Sequence, residues 1–109
     1  MAETNRILGQ TKPAAATRTA IYTTPASTAG VISTLMACNT TASADVVQIT
    51  VAPSGAAHAT SQFIYFDVSI PANNTLAVTC GLTLAATDVV RVYSTGGNIA
   101  FTAFGVEIT

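Results

Sequence analysis

Residues 62–93, which read QFIYFDVSIPANNTLAVTCGLTLAATDVVRVY, decide what this chain can fold into. In the first third of this stretch, a period of two carried by aromatic and β-branched residues is typical of a strand. Residues 71–74 contain Pro and Asn, which favour a turn, and two further alternating runs follow at 76–80 and 89–93. Three consecutive strands with short connections predict an antiparallel meander. The residues that this pattern places on the buried face of the first strand are Ile64, Phe66, Val68 and Ile70.

The rest of the chain continues the same rhythm. Further strands are predicted at residues 17–23, 31–38, 46–51 and 99–108, between clusters of Pro, Gly, Asn and Ser. An interruption of the alternation near Gly105 predicts a β-bulge, and no segment has the 3.6-residue apolar period of a helix. We therefore predict an all-β fold, an antiparallel, jelly-roll-like β-sandwich of seven or eight strands at residues 17–109. Residues 1–16 lack the alternation and are predicted to form an extended N-terminal arm outside the core.

The composition is unusually poor in charge. Only 8% of the 109 residues are charged and the net charge is −1, whereas about 25% is typical of soluble domains. Such a surface suits a protein that is covered by other protein subunits. The absence of a Lys/Arg run argues against nucleic acid as a partner. We expect neither a membrane span nor a secretory signal, and hence synthesis in a cytoplasm.

The residue types that carry catalysis are scattered along the chain. His58 is the sole histidine and lies in a loop of small residues, so neither a metal site nor a catalytic triad is predicted. Asp45 and Asp88 are expected to cap turns, and only a close approach of Asp67 and Asp88 would suggest hydrolytic chemistry. Cys38 and Cys80 are expected to be buried thiols, with a disulfide as the alternative. We predict no enzymatic activity and no cofactor.

Several residues are candidates for a contact surface. Arg91 lies between two valines in a strand, where it can pair with Asp67, contact another subunit or extend into solvent. Aromatic residues on the second face of a sheet favour a subunit interface, with a sugar-binding platform as the alternative. The predicted interface residues are Ile7, Leu8, Phe63, Tyr65, Arg91 and Tyr93.

Six segments of the chain resemble a group of small structural proteins of tailed bacteriophages. The segments are residues 7–10 (ILGQ), 21–26 (IYTTPA), 38–39 (CN), 70–75 (IPANNT), 82–93 (LTLAATDVVRVY) and 101–108 (FTAFGVEI). Together they extend over nearly the full chain, mainly at turns and core strands. The resemblance implies a virion protein without a catalytic motif.

The resemblance and the composition together lead to a functional hypothesis. We expect an oligomeric virion protein, a homotrimer by analogy with phage accessory proteins at threefold positions, that binds major capsid or tail proteins. Capsid decoration, as a cement protein, is the favoured role. A tail, baseplate or fibre component that binds a host glycan is the alternative.

Overall fold

The computed structural model describes residues 2–79 and 81–109 and contains two antiparallel β-sheets packed face to face, without an α-helix in the described residues. Two short 3₁₀ turns, at Pro53–Gly55 and Thr60–Gln62, are the only helical segments there. The strands are β1 (Glu3–Thr11), β2 (Thr19–Thr23), β3 (Ala29–Asn39), β4 (Asp45–Ala52), β5 (Phe63–Ile70), β6 (Thr75–Val78), β7 (Leu82–Leu84), β8 (Val89–Ser94) and β9 (Ile99–Ile108). The predicted all-β sandwich is therefore confirmed.

The strand order is that of a jelly roll. Sheet A has the order β1-β9-β3-β6, with β7 also paired to β3, and sheet B has the order β2-β8-β4-β5. Strands β6 and β7 pair with different parts of β3, at 35–38 and 30–32 respectively, and so occupy one position in sheet A. The nine strands thus fill eight positions, four in each sheet, as in the jelly rolls of viral capsid and lectin domains.

The core lies between the sheets and is built from the inward positions of both. Val47 and Ile49 of β4 are fully buried, and they face sheet A together with Val90 and Val92 of β8. Sheet A contributes the largest fully buried side chain, Phe101. Burial of such side chains, at roughly 1.5–3 kcal/mol each, is the main force that holds the sheets together.

The prediction of a meander in residues 62–93 is wrong. Strand β5 pairs with β4 in sheet B, whereas β6 pairs with β3 in sheet A. The turn at residues 71–74 therefore crosses between the sheets; four residues can reach across the ~10 Å that separates packed sheets. Short connections are compatible with both arrangements, because local sequence does not determine which strand becomes the neighbour.

Much of the predicted N-terminal arm is a strand. Residues 3–11 form β1, which pairs with β9 along its whole length at the edge of sheet A. The strand is irregular at Leu8, where the register shifts between Ile7 and Gly9. This bulge turns Ile7 outward and Leu8 towards the core. The sequence of β1 therefore lacks the alternation of apolar and polar residues that is typical of a strand. Gly9 is required there because a Cβ atom would collide with the carbonyl oxygen of Ile21.

Bulges also overturn the predicted buried face of β5. The register against β4 shifts twice, so that Ile64 is an extra residue and the pair Phe66–Asp67 lies opposite Gln48. Asp67 adopts a positive φ of 51° at the second bulge. As a result Ile64 and Phe66 are exposed, at 40% and 60%, whereas the predicted burial of Ile70 is confirmed. The bulge predicted near Gly105 lies in the neighbouring strand, where the register of β3 shifts between Ile32 and Thr34.

Candidate interaction surfaces

The outer face of sheet A is almost free of charge. In the described residues, the outward positions of β9 and β3 hold Phe104, Val106, Val31 and Met36 beside Thr and Ala, and the only acid that adjoins the face is Glu3, at the end of β1. We call this surface the A face. A surface four strands wide with so few charges is weakly hydrated and is suited to burial against protein.

A groove of about 650 Å³ lies on the A face. Its apolar walls include Ile7 and Phe104, which are 51% and 40% exposed and lie opposite each other in the β1–β9 register. Val31 and Val106 line the same groove, and Arg6, which is ion-paired with Glu107, lines it on the β1 side. Two large apolar side chains held open to solvent beside a concave surface are a candidate contact site.

A second apolar patch lies on sheet B. Ile64 and Phe66 project from β5, the edge strand of that sheet, because of its two bulges. The Phe66 ring packs edge-on against Phe63, with 4.8 Å between ring centroids. We call the two exposed residues, Ile64 and Phe66, the β5 ridge.

Arg18 organises a polar and aromatic cluster on the outer side of sheet B. Its guanidinium lies 4.9 Å from the centroid of the Tyr93 ring and 5.3 Å from that of Phe63. Its Nη2 atom donates a hydrogen bond of 2.8 Å to Oε1 of Gln48, whose Nε2 atom in turn donates to Oδ1 of Asp67 at 2.7 Å. Burial lowers the pKa of Arg18, but a guanidinium remains charged at neutral pH. The cluster holds the β1–β2 connection against three strands.

Arg91 and His58 lie next to this cluster. Nη1 of Arg91 donates to the carbonyl of Ala56 at 3.0 Å and so ties down the loop between β4 and β5. Asp67 bonds to Gln48, so pairing with Asp67, one of the three alternatives for Arg91, is not formed. His58 is exposed and packs edge-on against Phe63; partial desolvation, then Arg18 and Arg91, lower its pKa.

The acids predicted to cap turns do so. Asp88 accepts hydrogen bonds from the backbone amides of Ser54 and Ala85, at 2.8 and 2.9 Å. Asp45 is 5% exposed and accepts four hydrogen bonds, one from its neighbour Val46 and three from the β8–β9 turn, from Ser94, Gly96 and Asn98. Burial alone would raise the pKa of Asp45, but these hydrogen bonds outweigh it and hold the pKa below its ordinary value.

The predicted interface residues are divided between several places. Ile7 lies on the A face, whereas Leu8 and Tyr65 pack partly against the core. Phe63 and Tyr93 are half-buried around Arg18, and Arg91 is half-buried under the β4–β5 loop. The A face and the aromatic cluster therefore lie on opposite sheets and form two separate surfaces.

Sequence reasoning missed Phe104, Phe66 and Arg18 as surface residues. Phe66 has the apolar character expected of a core strand, and only the bulges of β5 reveal which face it occupies. Phe104 faces outward by the regular alternation of β9, in which Ile99, Phe101 and Ala103 are buried, and this pattern could have identified it. Arg18 carried a detectable signal, since it is one of only four basic residues in the chain and directly precedes a strand.

The described residues contain no group of three His, Cys, Asp or Glu side chains able to hold a metal ion. In the same part of the chain, no helix is long and apolar enough to span a bilayer. Cys38 is half-buried on β3, and Cys80, its possible partner, lies outside the described residues.

Comparisons of the chain with protein-family models, with curated proteins and with solved structures found no match.

Proposed function

We propose that this protein is a non-enzymatic structural subunit of a bacteriophage virion, an oligomeric decoration or cement protein on the capsid. The observation that carries the proposal is the A face, which has few charges and exposes Ile7 and Phe104. The resemblance of six sequence segments to small phage structural proteins supplies the setting. Neither a metal nor a cofactor is needed for this role.

The size of the A face supports a role in assembly. Four strands about 4.8 Å apart, each with about nine residues at 3.3 Å, span a projected area of about 600 Å². Stable protein complexes bury about 800 Å² on each partner, so the A face is of the order of size that such a contact needs. The exposed parts of Ile7 and Phe104 contribute apolar surface that is worth roughly 25 cal/mol per Å² when buried.

A host-glycan role on a tail or fibre remains the second candidate. It would need aromatic ring faces open to a sugar beside convergent polar groups. At the Phe63–Tyr93 cluster the Arg18 guanidinium covers a face of each ring. This contact makes the cluster better suited to holding loops than to stacking a sugar, so we favour the structural role.

The protein forms a homotrimer in this proposal. Its other partners are the major capsid or tail proteins. The threefold state is taken by analogy with phage accessory proteins at threefold positions.

Electron microscopy of virions, after binding of a gold-labelled antibody against this chain, tests the proposed location. A decoration protein gives label over the whole shell in many copies, whereas label confined to one vertex identifies a tail component. Virions without label would refute both locations. A matched preparation from a phage in which the gene is deleted is the control for antibody specificity.

A further inference from the structure

Charge distribution distinguishes the A face from the outer side of sheet B. Around a symmetry axis each residue near the axis faces its own copies, so a charged residue there would meet like charge. The outer side of sheet B carries Arg18, Arg91 and Asp67. Along the groove of the A face the one charged residue is Arg6, at the β1 edge, and its guanidinium is paired with Glu107. The A face is therefore the surface on which copies of this chain can meet around an axis without burying unpaired charge.

The width of sheet A fits a threefold axis. Four strands spaced about 4.8 Å apart make a sheet about 19 Å wide. Three such sheets, treated as flat, enclose a triangular prism in which each sheet lies about 5.5 Å from the axis. Packed sheets are about 10 Å apart, so one layer of side chains occupies about 5 Å. Three A faces can thus fill the interior of the prism with one layer each.

The directions of the edge strands are also compatible with three sheets joined edge to edge in this prism. Sheet A is antiparallel throughout, so β1 and β6 at its two edges run in opposite directions. An axis parallel to the strands keeps these directions, and β1 of one copy meets β6 and β7 of the next in antiparallel orientation. Exposed strand edges invite pairing, and the closed ring would cover both edges of sheet A in every copy.

We propose that the A face turns towards a threefold axis formed with two further copies of this chain, where Ile7 and Phe104 of the three copies pack together. This inference rests on the homotrimer of the proposed function and assigns the surface that forms it. Each copy contributes an A face of about 600 Å², compared with about 800 Å² from each partner in stable complexes. The groove between Val31 and Phe104 receives side chains of the neighbouring copies.

Analytical ultracentrifugation of the purified chain and of matched variants tests the arrangement. The wild type should sediment as a species of about 33 kDa, three times the 11.1 kDa chain. Phe104→Glu places three carboxylates near the axis and should weaken association at least about 100-fold, because juxtaposed like charges are strongly unfavourable. Phe66→Glu introduces the same change on the β5 ridge, at a more exposed phenylalanine, and should leave the trimer intact.

A second pair of variants tests the same surface in case a variant of the first pair misfolds. Ile7→Glu should dissociate the trimer and Ile64→Glu should not, with circular dichroism used to confirm that each variant keeps its β structure. A wild-type trimer that persists in both Phe104→Glu and Ile7→Glu would overturn the assignment of the A face and leave the homotrimer standing. A wild-type dimer or monomer at micromolar concentration would overturn the threefold arrangement itself, while the location of the protein in virions is tested independently by antibody labelling.

Discussion

The Asp45 carboxylate gives a sharp test of how this fold is held together. Its Oδ1 atom accepts hydrogen bonds from the amides of Val46 and Gly96, at 2.7 and 2.9 Å. Its Oδ2 atom accepts from the Ser94 hydroxyl at 2.6 Å and from the Asn98 amide at 3.2 Å. These contacts join the start of β4 to the β8–β9 turn, so one side chain fixes the geometry between sheet B and the last strand of sheet A.

Replacement of Asp45 by Asn keeps the shape and removes half of the acceptors. The new amide nitrogen would face the Ser94 and Asn98 donors, which are then left without an acceptor. A buried donor without a partner costs about 1–3 kcal/mol, and the two remaining hydrogen bonds lose their charge assistance. We expect Asp45→Asn to lower the free energy of unfolding by about 3 kcal/mol, a large part of the 5–15 kcal/mol typical of a domain.

Urea denaturation at one fixed protein concentration measures this loss, since the stability of an oligomer depends on concentration. Asp67→Asn is the matched control: Asp67 is exposed, it accepts one side-chain hydrogen bond, and Asn tolerates its positive φ. The control should change the unfolding free energy by less than about 0.5 kcal/mol. Equal stabilities of the two variants would refute the role assigned to Asp45.

The pH dependence follows from the lowered pKa of Asp45. A carboxyl whose pKa is lower in the folded state stabilises the protein at pH values above its unfolded pKa of ~3.9. That contribution is lost as the pH falls through the folded pKa. The stability difference between wild type and Asp45→Asn should therefore be constant from neutral pH down to about pH 5 and shrink below about pH 4. A difference that persists unchanged in more acidic solution would contradict the charge-assisted bonds.

Three further substitutions probe other parts of the structure by urea denaturation. Phe101→Ala removes the largest fully buried side chain and should cost about 3–5 kcal/mol. Gly9→Ala forces a Cβ atom against the Ile21 carbonyl and should cost about 1–3 kcal/mol by displacing β1. Arg18→Lys keeps the charge but loses the planar group that stacks on Tyr93, and should cost about 1 kcal/mol. A stability within about 0.5 kcal/mol of wild type would contradict the packing at the site concerned.

The sequence determined the class of fold and most of its strands. Period-two runs of β-branched and aromatic residues identify a strand wherever one face is buried, and β4 and β9 were predicted nearly to their ends. Asp45 and Asp88 were identifiable as turn residues because an Asp beside a strand accepts local amides. The strands depend on one buried face, and the local bonds of Asp45 to Val46 and of Asp88 to Ala85 join residues close in the chain. The bonds of Asp45 to the β8–β9 turn depend on the tertiary structure.

Only the tertiary structure decided how the strands are arranged and which apolar residues remain exposed. The partner of β5 is β4 and that of β6 is β3, a choice made by the packing of the two sheets and not by the short turn between them. The bulges at Leu8, in β3 and in β5 arise from mismatched register between strands that are distant in sequence. Each bulge reverses the inside–outside pattern beyond it, because the side-chain period of a strand is two. For this reason Phe66, which has the apolar character of a core residue, is exposed on sheet B, whereas Phe104 faces outward from sheet A by the regular alternation of β9.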